Sequence, residues 1–179
     1  MSDKDRSQGI NLVPAAREEM KVMERFFQLY LHDFSQFVDI EINQQGRFEY
    51  PPLAVYWQDP NRFPYFIEVD GKRAGFVLIK KGTELNEDRE VYDVAEFFVL
   101  RGYRRQKVGS RSAHRIWDRF PGRWVVCVMV VNQPAVKFWS QAVQEYTGGD
   151  FQRREINKDE YTWIVFQFSS LSGSHDGAL

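Results

Sequence analysis

Apolar residues recur at helical spacing near the start of the chain. Ala16, Met20, Met23, Phe27 and Tyr30 follow one another at alternating steps of four and three, which gathers them on one face of a helix, and Val22, Phe26 and Leu29 widen that face. Ile10 to Val13 reads as a short strand before it, with Pro14 suited to a first helical turn, where a missing N–H does no harm. His32-Asp33 interrupts the stripe, and Asp33 with Gln36 three residues on predicts a second, short helix. Pro51, Pro52, Pro60 and Pro64 then punctuate a loop region. Tyr65 to Val69 and Lys72 to Lys80 flank Asp70-Gly71, a strong hairpin signal, and Val91 to Leu100 is a third long strand. Gly109, Ala113, Ile116, Trp117 and Phe120 return to helical spacing until Pro121-Gly122 stops them. Trp124 to Val131 is nearly unbroken apolar sequence, the pattern of a strand buried on both faces. Pro134 opens a last helix whose inner face carries Ala135, Phe138, Trp139, Ala142, Val143 and Tyr146, and Gly148-Gly149 supply its left-handed stop. Phe151 to Ile156 and Tyr161 to Phe168 form a closing hairpin. The order β α α β β β α β α β β predicts a mixed α/β layer fold.

Length and composition narrow the function classes. A chain of 179 residues with 16 % aromatics has enough bulky apolar surface for one packed domain, expected over 10–168, with flexible ends at 1–9 and in the Ser/Gly-rich 169–179. Lys and Arg number 24 against 25 Asp and Glu, so the net charge of -1 offers no global attraction to nucleic acid or to a membrane surface, and neither partner is expected. No apolar run approaches the ~18 residues of a membrane span, Met1 to Gly9 lacks the apolar run of a secretory signal, and the lone Cys127 cannot form an intramolecular disulfide. A cytoplasmic setting follows from these readings. His32, His114 and His175 have no metal-ligand spacing with each other or with Cys127, so no metal is expected.

One segment is strongly biased. Between Arg101 and Arg123 stand eight basic residues and a single acid, Asp118, across a strand-to-helix junction. Helix N-termini present unpaired N–H groups and positive partial charge, so the loop of Arg104, Arg105, Gln106, Lys107, Val108 and Gly109 can cradle a pyrophosphate. Lys107, Arg111, Arg115, Arg119 and Arg123 also recur every four residues, which is equally the pattern of a solvated helix face.

Three blocks carry a resemblance to a known family. They are Ala95 to Ser110, with its strand and its Arg104-Arg105-Gln106-Lys107-Val108-Gly109 loop; Phe120-Pro121-Gly122-Arg123-Trp124; and Asn132-Gln133-Pro134-Ala135-Val136-Lys137-Phe138-Trp139. Together with the element order they resemble the GNAT superfamily of N-acetyltransferases, and within it uncharacterised bacterial members. The resemblance implies a GNAT fold with a mixed central sheet of about seven strands and helices on both faces. It implies transfer of an acetyl group from acetyl-CoA, the cosubstrate, to the amine of a small acceptor by direct attack, in a monomer or homodimer. The diphosphate falls on the amides of Arg105 to Ser110 with Arg104 beside them, and the pantetheine along Phe98 and Val99. Asn132 holds the cofactor arm near Phe138 and Trp139; Asn132 before Pro134 reads equally as a helix cap.

This sequence departs from the family pattern in two places. Lys107 stands where the loop's first Gly is usual, and Trp139 stands where a Tyr general acid is frequent, although indole N–H is no useful acid. A thiolate with a pKa near ~8.5 can leave unaided, or Tyr146 or water can protonate it. For the proton of the attacking amine, Glu96 is the candidate base, on the strand expected beside the acetyl group, with Asp93 in reserve; an outward or ion-paired Glu is the competing reading. Cys127, in an apolar strand with no nearby His, suits an inert buried thiol. Asp33, Asp39, Glu41 and Glu49, followed by Tyr50, Tyr56 and Trp57, form a candidate wall for a cationic acceptor, and also an ordinary solvated loop. The alternative function is a catalytically inactive acyl-CoA-binding regulatory or sensor module.

Overall fold

The computed structural model describes residues 9–83, 85 and 88–170. Residues 1–8 and 171–179, with most of the expected flexible ends and His175, lie outside the described residues. Seven strands, β1 (Ile10–Pro14), β2 (Arg62–Val69), β3 (Lys72–Lys81), β4 (Tyr92–Val99), β5 (Gly122–Met129), β6 (Gln152–Lys158) and β7 (Tyr161–Ser170), form one sheet in the order β1-β2-β3-β4-β5-β7-β6. The helices are α1 (Met20–Phe34), α2 (Val108–Arg119) and α3 (Gln133–Thr147). The sheet is mixed: β4 and β5 run parallel, pairing Tyr92 with Trp124 and Asp93 with Val125, while β1–β2, β5–β7 and β6–β7 are antiparallel. The chain divides into two compact units, one of residues 1–78 with 96–108, the other of 79–95 with 109–179.

In the first unit the hairpin signal holds in detail. Asp70 and Gly71 both take positive φ, 50° and 75°, as a two-residue turn matched to strand twist requires, and the Asp70 carboxylate accepts a bond from the Gly9 N–H at 2.9 Å. Pro14 does not open a helix. It ends β1 opposite Tyr65, at a sheet edge where a missing donor is tolerated, and a 3-10 turn at Arg17–Glu19 intervenes before α1. The Glu19 carboxylate receives the Ala16 N–H at 3.0 Å, closing that turn. From α1, Met23, Phe27 and Leu31 are buried, and Phe27 stacks on Phe76 of β3 with ring centroids 5.5 Å apart. Burying such a ring contributes roughly 1.5–3 kcal/mol. Val22 and Leu29 do not widen the buried stripe: each precedes a stripe residue by one position, about 100° around the helix, and they are 37 % and 50 % exposed. The second helix expected after Asp33 is not formed. Asp33 belongs to the last turn of α1, and Gln36 donates to the Asp33 carbonyl at 2.6 Å instead of building a capping box; a 3-10 turn at Leu53–Trp57 precedes β2.

Gly75 in β3 is fixed by closeness rather than by conformation. A Cβ there would lie 2.0 Å from the Phe98 carbonyl oxygen, so any side chain would force β3 and β4 apart.

In the second unit β5 lies between β4 and β7, and Trp124, Val125, Val126, Val128 and Met129 are buried as an apolar run requires. Cys127 is only partly buried, however, and the strand ends at Met129, short of the expected Val131, which is 50 % exposed. Trp117 of α2 sets its ring edge-on to Phe168 at 4.8 Å and to Tyr146 of α3 at 4.9 Å, while His114 Nε2 lies 2.9 Å from the Ala142 carbonyl oxygen. Gly148, at φ 63°, ends α3 in the left-handed conformation expected of it.

Candidate active site

In the first unit β4 carries Glu96 and Phe98 on the same face, because strand side chains alternate. Phe98 is buried against Phe76 (5.7 Å) and Tyr30 (6.0 Å). Glu96, two residues back, is half-buried and meets two phenols. Tyr50 donates to Glu96 Oε1, and Tyr30 also hydrogen-bonds to the Glu96 side chain. Burial pushes both tyrosines above their ordinary pKa, and the Glu96 charge pushes them in the same direction, so both remain protonated donors at neutral pH. Their bonds favour the ionised form of the carboxylate. The face of Tyr50 rests on Phe27 at 4.4 Å, and Tyr56 from the 3-10 turn at Leu53–Trp57 is buried beneath the Arg62 guanidinium, 5.0 Å from its ring.

After β4 the chain enters the basic loop. Val99 belongs to a buried cluster with Ile10, Ile67, Ala74 and Val108, and its carbonyl receives Arg104 Nε at 2.7 Å. Arg104 also lies over the Phe98 ring at 5.5 Å and gives Nη2 to Asp33 Oδ2 at 2.5 Å, while Arg101 Nη2 reaches Asp33 Oδ1 at 2.6 Å. Both oxygens of Asp33 are therefore engaged by arginines. Burial alone would raise the Asp33 pKa, but the bonds and charges of Arg104 and Arg101 outweigh it and hold the carboxyl below its ordinary value. Gln106 donates to the Gly102 carbonyl at 2.7 Å. Arg105 and Lys107 both sit in left-handed backbone, φ 62° and 59°. Such turns aim successive N–H groups inward and build anion-binding nests, and the first-turn amides of any helix, here α2 from Val108, lack acceptors within it. The loop thus has the left-handed backbone from which anion-binding nests are built. Lys107, in the place of the usual Gly, keeps the conformation a Gly would take at ease.

In the second unit Gly109 and Ser110 continue α2. Asn132 accepts the Ala135 N–H at 3.1 Å through its side chain, so its oxygen serves as the cap of α3. Trp139 is buried, 6.2 Å from Trp117 and 4.8 Å from Phe138. Tyr146 donates its phenol hydrogen to Asp118 at 2.8 Å, and burial together with that carboxylate raises its pKa. Asp93 is buried with Lys80 Nζ at 3.7 Å.

Of the residues singled out in the sequence, Glu96, Tyr50, Tyr56, Phe98, Val99, Asp33 and the loop from Arg104 to Val108 fall in one unit; Gly109, Ser110, Asn132, Phe138 and Trp139 fall in the other. Sequence reasoning missed Tyr30 as a partner of Glu96, although a phenol on an otherwise apolar helix stripe needs a polar partner once buried.

A family model described as the acetyltransferase (GNAT) family matches residues 23–143. The chain belongs to this family. As a GNAT protein it is an acetyl-CoA-dependent N-acetyltransferase. No curated protein matches it in sequence. Among solved structures, an acetyltransferase from Thermus thermophilus is similar at TM-score 0.65 and 16 % identity over 89 % of this chain and 97 % of that one. A spermidine N-acetyltransferase from Vibrio cholerae, in complex with CoA and spermine, is similar at TM-score 0.62 and 12 % identity over 90 % and 95 %. An aminoglycoside acetyltransferase in complex with coenzyme A and kanamycin is similar at 0.65 and 9 % over 90 % and 95 %. Likeness at these identities carries the GNAT fold and not an acceptor. No helix among the described residues is long and apolar enough to cross a membrane.

Proposed function

We propose that residues 10–168 work as one GNAT domain in the cytoplasm, moving the acetyl group of acetyl-CoA directly to the amine of a small cationic acceptor, with Glu96 taking the amine proton. The observation that carries this reading is the Glu96 carboxylate held by the phenols of Tyr30 and Tyr50, on the strand that leads into a loop shaped for a diphosphate. A primary amine with a pKa near ~10 is almost wholly protonated at pH 7, so attack needs a base, and a carboxylate kept ionised by two donors is one. The amides of Arg105 to Ser110 take the diphosphate, and the backbone at Phe98 and Val99 takes the pantetheine, since both side chains are committed to the core. Trp139 supplies no acid, and the Tyr146 proton is bonded to Asp118, so the CoA thiolate leaves without a protein donor at either position. Asn132 spends its side-chain oxygen on the α3 cap, and its side-chain NH2 is the group that would meet the cofactor arm. Two of the solved neighbours are a spermidine and an aminoglycoside acetyltransferase, whose named acceptors are polycationic, and the stretch with Asp39, Glu41 and Glu49 suits a positively charged acceptor.

Titration calorimetry and thermal shift with acetyl-CoA test the cofactor half of the reading. Wild type should bind and gain stability by mass action, and Gly109→Asp, which sets a negative side chain at the start of α2, should abolish both effects. An amine panel followed by CoA release tests the other half. Binding without release of CoA from any cationic amine would overturn the catalytic reading, and a shift that survives in Gly109→Asp would take the loop out of the site.

A further inference from the structure

Sequence reading sets Asp33 among the acidic residues facing an acceptor. Its bonds point elsewhere: we infer that Asp33 is a positioning residue for acetyl-CoA, acting through Arg104 to hold the Arg104–Lys107 loop in its anion-binding shape. The inference rests on the proposed diphosphate site. Asp33 ends the buried part of α1, two residues after Leu31, so its Cα is anchored by core packing rather than by a loop. Only 16 % of its side chain is exposed, and each of its oxygens is bonded to a different arginine, which leaves little of the carboxylate for a cationic acceptor.

Arg104 is the hinge of the arrangement. It is the last residue before the backbone turns left-handed at Arg105, and its guanidinium spans three anchors: Asp33 Oδ2, the Val99 carbonyl and the face of Phe98. A planar fork holds a carboxylate and a carbonyl in fixed directions at once, whereas an ammonium bonds them with no such fixed geometry. Two non-glycine residues with positive φ, Arg105 and Lys107, follow within three positions, each in a conformation an L-residue leaves readily unless its surroundings fix it. Gln106 to Gly102 closes the far side of the turn, and the Asp33 pair ties the loop to the body of the helix. Asp33 offsets one of the two positive charges of Arg101 and Arg104, so the loop attracts a diphosphate through the basic charge that remains together with its backbone amides, whose directions Asp33 secures.

The test compares acetyl-CoA binding and steady-state kinetics of wild type, Asp33→Asn, Arg104→Lys and the double variant, with circular dichroism confirming that each is folded. Asp33→Asn and Arg104→Lys should each weaken acetyl-CoA binding by about tenfold, the scale of a lost charged hydrogen bond discounted for the 41 % exposure of Arg104. The double variant should be no weaker than either single one, because both remove the same link. The loss should fall on KM for acetyl-CoA and not on kcat or on KM for the acceptor, and hydrogen exchange in the free protein should speed up at Arg105 to Val108. Three outcomes overturn the inference: tighter acetyl-CoA binding in Asp33→Asn, which would make Arg104 a direct phosphate ligand freed from a competitor; wild-type binding in Arg104→Lys, which would reduce Arg104 to a point charge; or a rise confined to KM for the acceptor, which would return Asp33 to acceptor recognition. If wild type itself binds no acetyl-CoA, the proposed cofactor site fails, and that result is separate from all three.

Discussion

Tyr50 donates its phenol hydrogen to Oε1 of Glu96, a residue 46 positions further along the chain, and it does so while keeping 42 % of its own surface exposed. Tyr30 donates to the same carboxylate from the buried side of α1. One carboxylate thus meets two protonated phenols, one from α1 and one from the loop before β2.

The first prediction tests what those phenols do. Removing a donor from a carboxylate makes its anion less favourable, so Tyr50→Phe should move the acidic limb of the kcat/KM profile to higher pH. The shift should be roughly one pH unit, the equivalent of a lost hydrogen bond of ~1.5 kcal/mol to a charged group. Tyr30→Phe should shift the limb in the same direction, and Glu96→Gln should remove the limb and lower kcat by about 10²-fold or more while acetyl-CoA affinity holds. A limb that stays in place while both tyrosine variants melt earlier would leave Glu96 a structural acid.

The cluster is half legible in the sequence. Glu96 stands out as an acid in an apolar strand, and Tyr50 because it closes an acidic stretch, but no local pattern joins residues from a helix, a loop and a strand. Tyr30 looks like one more apolar step of α1. Where structure depends on neighbours in sequence, the pattern is a good guide: Asp70-Gly71 makes its turn, Gly148 stops α3, and Asn132 does cap, one of the two roles left open for it. It fails where a distant partner outcompetes a local motif. Asp33 and Gln36 have the spacing of a helix start, yet Arg101 and Arg104, 68 and 71 positions away, occupy the Asp33 carboxylate, and α1 runs on through it.

Lys107 carries the second prediction. Its φ of 59° is unfavourable by ~1–2 kcal/mol for a residue with a Cβ, whereas glycine adopts it freely but loses 0.5–1 kcal/mol, roughly, in unfolded-chain entropy. Lys107→Gly should therefore raise Tm by about 1–3 °C, and Lys107→Ala, which keeps the strain and loses only the charge, should not. Both variants lose the same charge, so any fall in acetyl-CoA affinity should be equal in the two and shrink with added salt. Equal melting temperatures in the two variants would show that the loop relaxes around its strain.

The Asp33 clamp has a pH signature whose sign follows from the depressed pKa of its carboxyl. A lowered folded-state value contributes stability that is present above the ordinary carboxyl pKa, 3.8 here, and is lost as pH falls through the folded value. Arg101 and Arg104 remain charged throughout, and His32, 72 % exposed with Nδ1 4.0 Å from Asp33 Oδ1, is a further titratable neighbour. The Tm difference between wild type and Asp33→Asn should therefore stay constant from pH 7 to about 5, begin to shrink only as pH falls past 3.8, and vanish below the folded value, which lies lower still. A difference that changed between pH 7 and about 5, well above the carboxyl range, would separate the pH response from Asp33.

Cys127 supplies the last prediction, because direct transfer excludes a covalent acetyl-enzyme. Burial pushes the thiol up to about 12, and the neighbouring Asp93 charge pushes it the same way, against smaller opposing effects of Lys80, Lys158 and Arg154. At pH 7 a thiol of that pKa is thiolate in roughly one molecule in 10⁵, and the thiolate is the form that attacks a thioester. Cys127→Ala should then keep kcat within about threefold, the residual effect being a small packing defect in β5 rather than a lost nucleophile. Intact-mass spectrometry of the wild-type protein mixed with acetyl-CoA alone should show no mass gain, and iodoacetamide should label the folded chain far more slowly than the unfolded one. An acetylated Cys127 peptide that disappears on addition of an amine would instead establish a two-step transfer, and Glu96 would then deprotonate the amine for attack on the acetyl-enzyme.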